Sequence, residues 1–116
     1  MPVSREFLDF ILDQLSDLSS VTYRMMFGGA GIYSDGTMFG LVADDTAYLK
    51  VDDTNRTDYE DRHLKPFKPW PNKAMVMPYY EIPPEVLEDP QEFVEWAERS
   101  LEIAKDGKQG DSLPGR

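Results

Sequence analysis

Arg24-Met25-Met26-Phe27-Gly28-Gly29-Ala30-Gly31-Ile32-Tyr33-Ser34-Asp35-Gly36 is the stretch that decides the fold. It runs directly into Met38-Phe39-Gly40-Leu41-Val42 and then Ala47-Tyr48-Leu49-Lys50. The order is strand, glycine bend, strand, Asp-Gly turn, strand. Asp35-Gly36 supplies the left-handed backbone that a two-residue hairpin turn requires. The predicted strands are Tyr23–Phe27, Ala30–Ser34 and Thr37–Val42, with Asp44-Asp45 turning the chain into a fourth, Thr46–Val51. In the fourth, Ala47, Leu49 and Val51 alternate with Thr46, Tyr48 and Lys50, so one face is buried.

Helices bracket these strands. Ser4 is a candidate N-cap, and Phe7, Leu8, Ile11, Leu12, Leu15 and Leu18 recur at three- and four-residue spacing up to a stop at Ser19-Ser20. Asp52 to Arg62 is polar and fits a short helix capped by Asp53 or Thr54. Lys65-Pro66-Phe67-Lys68-Pro69-Trp70-Pro71 cannot be a central strand, because its prolines remove backbone donors; it is an edge segment or an ordered loop. Ala74–Met77 reads as a buried strand continuing across Pro78 to Tyr79-Tyr80, and Pro83–Leu87 as a turn or one helical turn. Asp89-Pro90-Gln91-Glu92 combines a cap, a proline at the first helical position and an acid three residues after the cap. Phe93, Trp96, Ala97, Leu101 and Ala104 form the apolar stripe of the last helix, and Gly107 marks its expected stop. The expected division is a domain over 1–106 and a loose tail over 107–116.

This element order gives an α+β fold, an antiparallel sheet packed by N- and C-terminal helices. Met38–Val42 and Ala74–Met77 are apolar on both faces, whereas a sheet with one wet face alternates. Something must cover the second face: a partner chain, the short helix or the proline segment.

Composition narrows the function classes. At 116 residues the chain is one domain by length. It has no cysteine, which excludes disulfides, iron–sulfur clusters and thiolate zinc sites. Its N-terminus lacks the layout of a signal peptide, and no apolar run approaches the roughly 20 residues of a membrane helix, so a cytoplasmic location is expected and no membrane partner. The net charge of −10 argues against direct nucleic-acid contact, which draws its affinity from clustered cations. From Arg56 to Lys73 five basic residues face three acidic ones, an excess too small for a nucleic-acid stripe.

No motif carries catalysis. Gly28-Gly29-Ala30-Gly31 is followed by a strand and lacks the Lys-Ser/Thr ending of a phosphate loop; a bend or bulge where a Cβ would clash explains it better. His63 is the only histidine and reads as a solvated helix end. No catalytic residue, metal site or cofactor is expected. The best candidate interaction surface joins Arg24, Lys50, Lys65, Phe67, Lys68, Trp70, Tyr79 and Tyr80, aromatics beside cations, a mixture that recognition patches and core-sealing edges share. Two rival readings are direct nucleic-acid binding through Arg24, Lys50, Arg56, Lys65 and Lys68, and a small-ligand or enzymatic pocket near Trp70 and Tyr79.

A set of landmarks resembles the TfoX N-terminal domain family, the TfoX/Sxy competence regulators. They are Arg24–Gly29, Gly31-Ile32-Tyr33, Asp35-Gly36-Thr37-Met38-Phe39, Tyr48–Val51, Met77–Pro83 and Trp96, across about Phe7 to Ala104. The resemblance implies a secretion-chaperone-like α+β fold that pairs as a homodimer. It further implies a bacterial regulator of DNA transformation that works through a transcription-factor partner. Longer members add a C-terminal helical domain, and this sequence is expected to represent the stand-alone N-terminal one. The family supplies no catalytic residues to carry over. A non-enzymatic protein-interaction domain is the function expected.

Overall fold

A computed structural model describes residues 4–26, 29–68 and 78–112, with side chains of the last helix described as far as Asp106. The elements follow in the order α1 (Arg5–Gln14), β1 (Val21–Met26), β2 (Gly29–Ser34), β3 (Thr37–Ala43), β4 (Thr46–Lys50), α2 (Arg56–Glu60), β5 (Tyr79–Glu81), α3 (Pro84–Leu87) and α4 (Pro90–Ser112). The strands form one antiparallel sheet in the order β1-β2-β3-β4-β5. The fold is α+β, as the element order implies.

Local chemistry explains the boundaries. Ser4 caps α1, its hydroxyl accepting from the Phe7 amide at 3.2 Å. The helix closes at Gln14, earlier than Ser19-Ser20, and the chain turns through Leu15 and Leu18 before Ser20 enters left-handed backbone at φ 55°. Asp35 (φ 50°) and Gly36 (φ 81°) make the β2–β3 turn, and Asp44 and Asp45 (φ 54° and 56°) make the β3–β4 turn. Asp89 caps α4, accepting from the Gln91 and Glu92 amides at 3.1 and 3.3 Å, with Pro90 first in the helix. The helix continues past the stop expected at Gly107, as far as Ser112.

The cap expected for α2 is different. Neither Asp53 nor Thr54 holds that position; Asn55 does, without a side-chain capping bond. Asn55 instead accepts from the Asp52 amide at 2.9 Å and donates to the Lys50 carbonyl at 3.4 Å, which explains its burial. Asp52 closes the same corner by accepting from the Thr54 amide at 2.8 Å, and the Thr54 hydroxyl bond holds its carboxyl below the usual range. At the far end of α2, His63 sits at φ 61° while the Leu64 amide returns to the Tyr59 carbonyl. His63 is exposed, a solvated helix end as expected.

All the helices pack on one face. Ala30, Ile32, Phe39, Val42, Ala47 and Leu49 point to Leu8, Ile11 and Leu15 of α1, Tyr59 of α2, Val86 of α3 and Phe93, Ala97 and Leu101 of α4. The β2–β3 register shifts between Ile32 and Tyr33, placing Phe39 as the extra residue on β3. Phe39 is 0% exposed, so the bulge turns the largest side chain of β3 into the core.

The Pro-containing segment closes one sheet edge. The Phe67 amide donates to the Tyr79 carbonyl at 2.8 Å, the Glu81 amide to the Lys65 carbonyl at 3.0 Å, and Pro66 bridges to Tyr80. This is the edge role expected of it. The strand expected over Ala74–Met77 lies outside the described residues.

Candidate functional site

The second face of the sheet is the candidate site. Paired residues of neighbouring antiparallel strands share a face. Register therefore puts Arg24 with Gly31, Tyr33 with Met38, Leu41 with Tyr48, and Lys50 with Tyr79 on the side away from the helices. Leu41, Phe67 and Tyr79 are buried there, with Met38, Ala43 and Tyr48 half-buried around them, and among the described residues no helix contributes to this cluster. Phe67 meets Tyr48 edge-on, ring centres 5.0 Å apart. The Pro-containing segment thus supplies part of the cover the apolar strands need, as one of the expected alternatives had it.

Glycine shapes the middle of this face. A Cβ on Gly31 would come within 2.8 Å of the Met26 methyl, 3.1 Å of the Tyr33 ring and 3.2 Å of the Met38 sulfur. The bare backbone lets these three side chains converge above it. Gly29 serves the backbone instead: its Cβ would lie 2.1 Å from the Val42 carbonyl oxygen. Gly29 and Gly31 are therefore positions of close approach, in line with the clash expected from sequence, and Gly28 lies outside the described residues.

The residues expected to form one surface divide into three places. Lys50 and Tyr79 meet: the Lys50 ammonium lies 5.4 Å above the Tyr79 ring centre. Burial pushes the Tyr79 hydroxyl up to about 12. Phe67 joins them through the same cluster, while Lys65 and Lys68 stand exposed on the outer segment. Arg24 is exposed on β1, the opposite edge, roughly 20 Å from β5 at about 4.8 Å per strand spacing. Tyr80 points the other way, its ring 5.8 Å from Tyr59 on the helix side and its hydroxyl donating to Glu60 at 3.1 Å. Burial, followed by that carboxylate, raises its pKa. Trp70 lies outside the described residues. The five-cation set of the nucleic-acid reading does not gather either, since Arg56 pairs with Asp53 beside α2.

Sequence reasoning missed Tyr33, Met38 and Tyr48 as members of this face. The signal was present in the Asp-Gly turn, which fixes Tyr33 opposite Met38.

Other hollows offer little chemistry. One, about 390 Å³, lies between the α1–β1 turn, the β2–β3 turn and α4, rimmed by Asp35, Glu98, Glu102 and Lys105. Its lining shares no residue with the cluster around Tyr79. A second, about 110 Å³, is walled by Trp96 and Tyr59 with Asp58 and Glu95 at its rim. Among the described residues no group of three His, Cys, Asp or Glu side chains could hold a metal ion, and no helix is long and apolar enough to cross a membrane.

A family model, the TfoX N-terminal domain, matches residues 13–104. The chain belongs to the TfoX N-terminal domain family. The match spans every strand and reaches into both terminal helices. The family is a regulatory one associated with competence. A search of curated proteins finds no match.

Proposed function

We propose that the chain is a non-enzymatic protein-interaction domain. It pairs with a second copy across the helix-free sheet face, and regulates competence or transcription through a protein partner from the cytoplasm. The observation that carries this reading is the face itself. Met26, Tyr33, Met38 and Tyr48 stand half-buried around buried Leu41, Phe67 and Tyr79, with Lys50 at the margin. Half-buried apolar and aromatic side chains of this kind gain further burial when a second surface covers them. Membership of a non-catalytic regulatory family supports the second half of the reading.

Light scattering on the purified chain at micromolar concentration tests the pairing. A dimer that dissociates on Met38→Glu with Tyr48→Glu supports it, and a monomer removes it. Affinity capture with tagged chain, with and without nuclease, tests the regulatory part. A transcription factor or polymerase subunit retained in both samples supports it; partners lost with nuclease favour nucleic-acid binding instead.

A further inference from the structure

The two edges of the sheet are finished differently. Beyond β5 the edge is closed by Lys65–Lys68, a short segment with a proline and two lysines, devices that stop a sheet from recruiting another strand. At the other edge, β1 pairs with β2 through all of Val21–Met26 in unbroken register, and no described residue pairs with its outer side. It has no proline and no bulge. Its outward N–H and C=O groups form a template for one more strand.

Arg24 lies in the middle of that template. Every other arginine among the described residues has an acidic partner: Arg5 with Asp9, Arg56 with Asp53, Arg62 with Glu85, Arg99 with Glu102. Arg24 makes no hydrogen bond or ion pair among the described residues, in a chain with 22 acidic side chains. Beside it stands Met25, 60% exposed, the most exposed large hydrophobic side chain among the described residues. An unpaired guanidinium on an open strand edge, next to an uncovered thioether, is a recognition element in want of a carboxylate and an apolar side chain.

We propose that the β1 edge binds an extended peptide segment of a partner protein in which one carboxylate stands between two apolar residues. The pattern follows from strand alternation. In an added antiparallel strand, the residue opposite Arg24 lies on the helix-free face and carries the carboxylate, which the guanidinium meets in a two-pronged pair. The residues opposite Tyr23 and Met25 lie on the helix face and are apolar, covering Met25. A single carboxylate fits better than an acidic tract, because the domain's net charge of −10 repels a run of acids. A second copy fits worse: Val21–Met26 contains no carboxylate, so β1 pairing with itself leaves Arg24 unmatched in every register. The proposal rests on the reading of the chain as an interaction domain and concerns the β1 edge, where Arg24 borders the helix-free face, rather than the middle of that face.

The test uses the full chain and a labelled peptide of sequence Thr-Val-Glu-Val-Thr in fluorescence polarisation. Binding is expected. It should weaken at least about tenfold when the peptide glutamate is replaced by lysine, and again when its outward amides are N-methylated, since main-chain hydrogen bonds give the affinity. Arg24→Glu should reverse the preference in favour of the lysine peptide. That variant keeps its melting temperature, because Arg24 has no partner among the described residues to lose. Equal binding of both peptides, indifference to N-methylation, or no binding at millimolar peptide overturns the proposal. So does hydrogen-exchange protection of the outward β1 amides in the peptide-free chain. None of these results touches the light-scattering test of the helix-free face, so the two readings fail separately.

Discussion

The two faces of the sheet come from the same strands and the same alternation, yet they are covered by different means. On one, Phe39, Ile32 and Leu49 are sealed beneath α1 and α4 with 2% exposure or less. On the other, Tyr33, Met38 and Tyr48 stay half-buried, and Phe67 of the edge segment supplies local cover. Burial on the first face stabilises the chain itself. Apolar area on the second gains most of its value when something else is bound. Neighbouring residues on β3 therefore have different jobs, and substitution can separate them.

The largest effect should come from Phe39→Ala. It opens a cavity where the bulge drives a ring into the core, and is expected to cost about 3–5 kcal/mol in urea unfolding. A cost below about 1 kcal/mol would mean that the helix-covered face is not the main core. Gly29→Ala should follow, at roughly 1–3 kcal/mol, because its Cβ meets the Val42 carbonyl rather than a side chain that can swing aside.

Tyr79 tests the helix-free face by pH. The folded chain holds its phenolic proton to about 12, whereas an unfolded tyrosine releases it near pH 10. Above about pH 10 the unfolded state therefore binds fewer protons, and stability falls as pH rises through that window. Burial of Tyr59 adds a shift of the same sign. Denaturation series between pH 9 and 12 should show a loss of order 2 kcal/mol, reduced in Tyr79→Phe.

Tyr59 gives a smaller effect on the helix side. Its hydroxyl is buried with no hydrogen bond among the described residues, and the neighbouring Ser100 hydroxyl donates to the Lys50 carbonyl at 2.8 Å. Tyr59→Phe removes an unsatisfied polar group, so its melting temperature should be unchanged or higher, by no more than about 1 kcal/mol in stability. The smallest effect on the monomer's own stability belongs to Met38→Ser, under about 1 kcal/mol, with weakened self-association by light scattering as its signature. If Met38→Ser cost as much as Phe39→Ala, the contrast between the faces would collapse.

The strands of the hairpins were legible because their signals are local. Asp35-Gly36 and Asp44-Asp45 fix two turns, and the alternation of Ala47, Leu49 and Val51 assigns a face. Ser4 and Asp89 caps were legible for the same reason. The end of α1 was not, since the apolar spacing carries on through Leu18 while the chain has already turned away to reach β1. The α2 cap was misread because Asp52, Asn55 and Lys50 form a corner whose partners include Ser100 on α4, a contact across 50 positions that no local pattern reveals. The candidate surface was half legible. Lys50, Phe67 and Tyr79 converge, but strand order puts Arg24 at the far edge and strand parity turns Tyr80 towards the helices.

The neighbour-to-neighbour order of the sheet also bears on how the molecule assembles. Each of β1 to β4 pairs with the strand that follows it in the chain, so three hairpins can close in succession over short loops. Closing β5 onto β4 spans the whole excursion from Lys50 to Tyr79, and seating α4 on β3 reaches further still. Entropy of closure grows with that separation. The late steps of folding should therefore be the arrival of β5 and α4, and β1 to β4 leave the ribosome before α4 as a four-strand meander whose helix-facing side has only α1 to cover it until that helix is made.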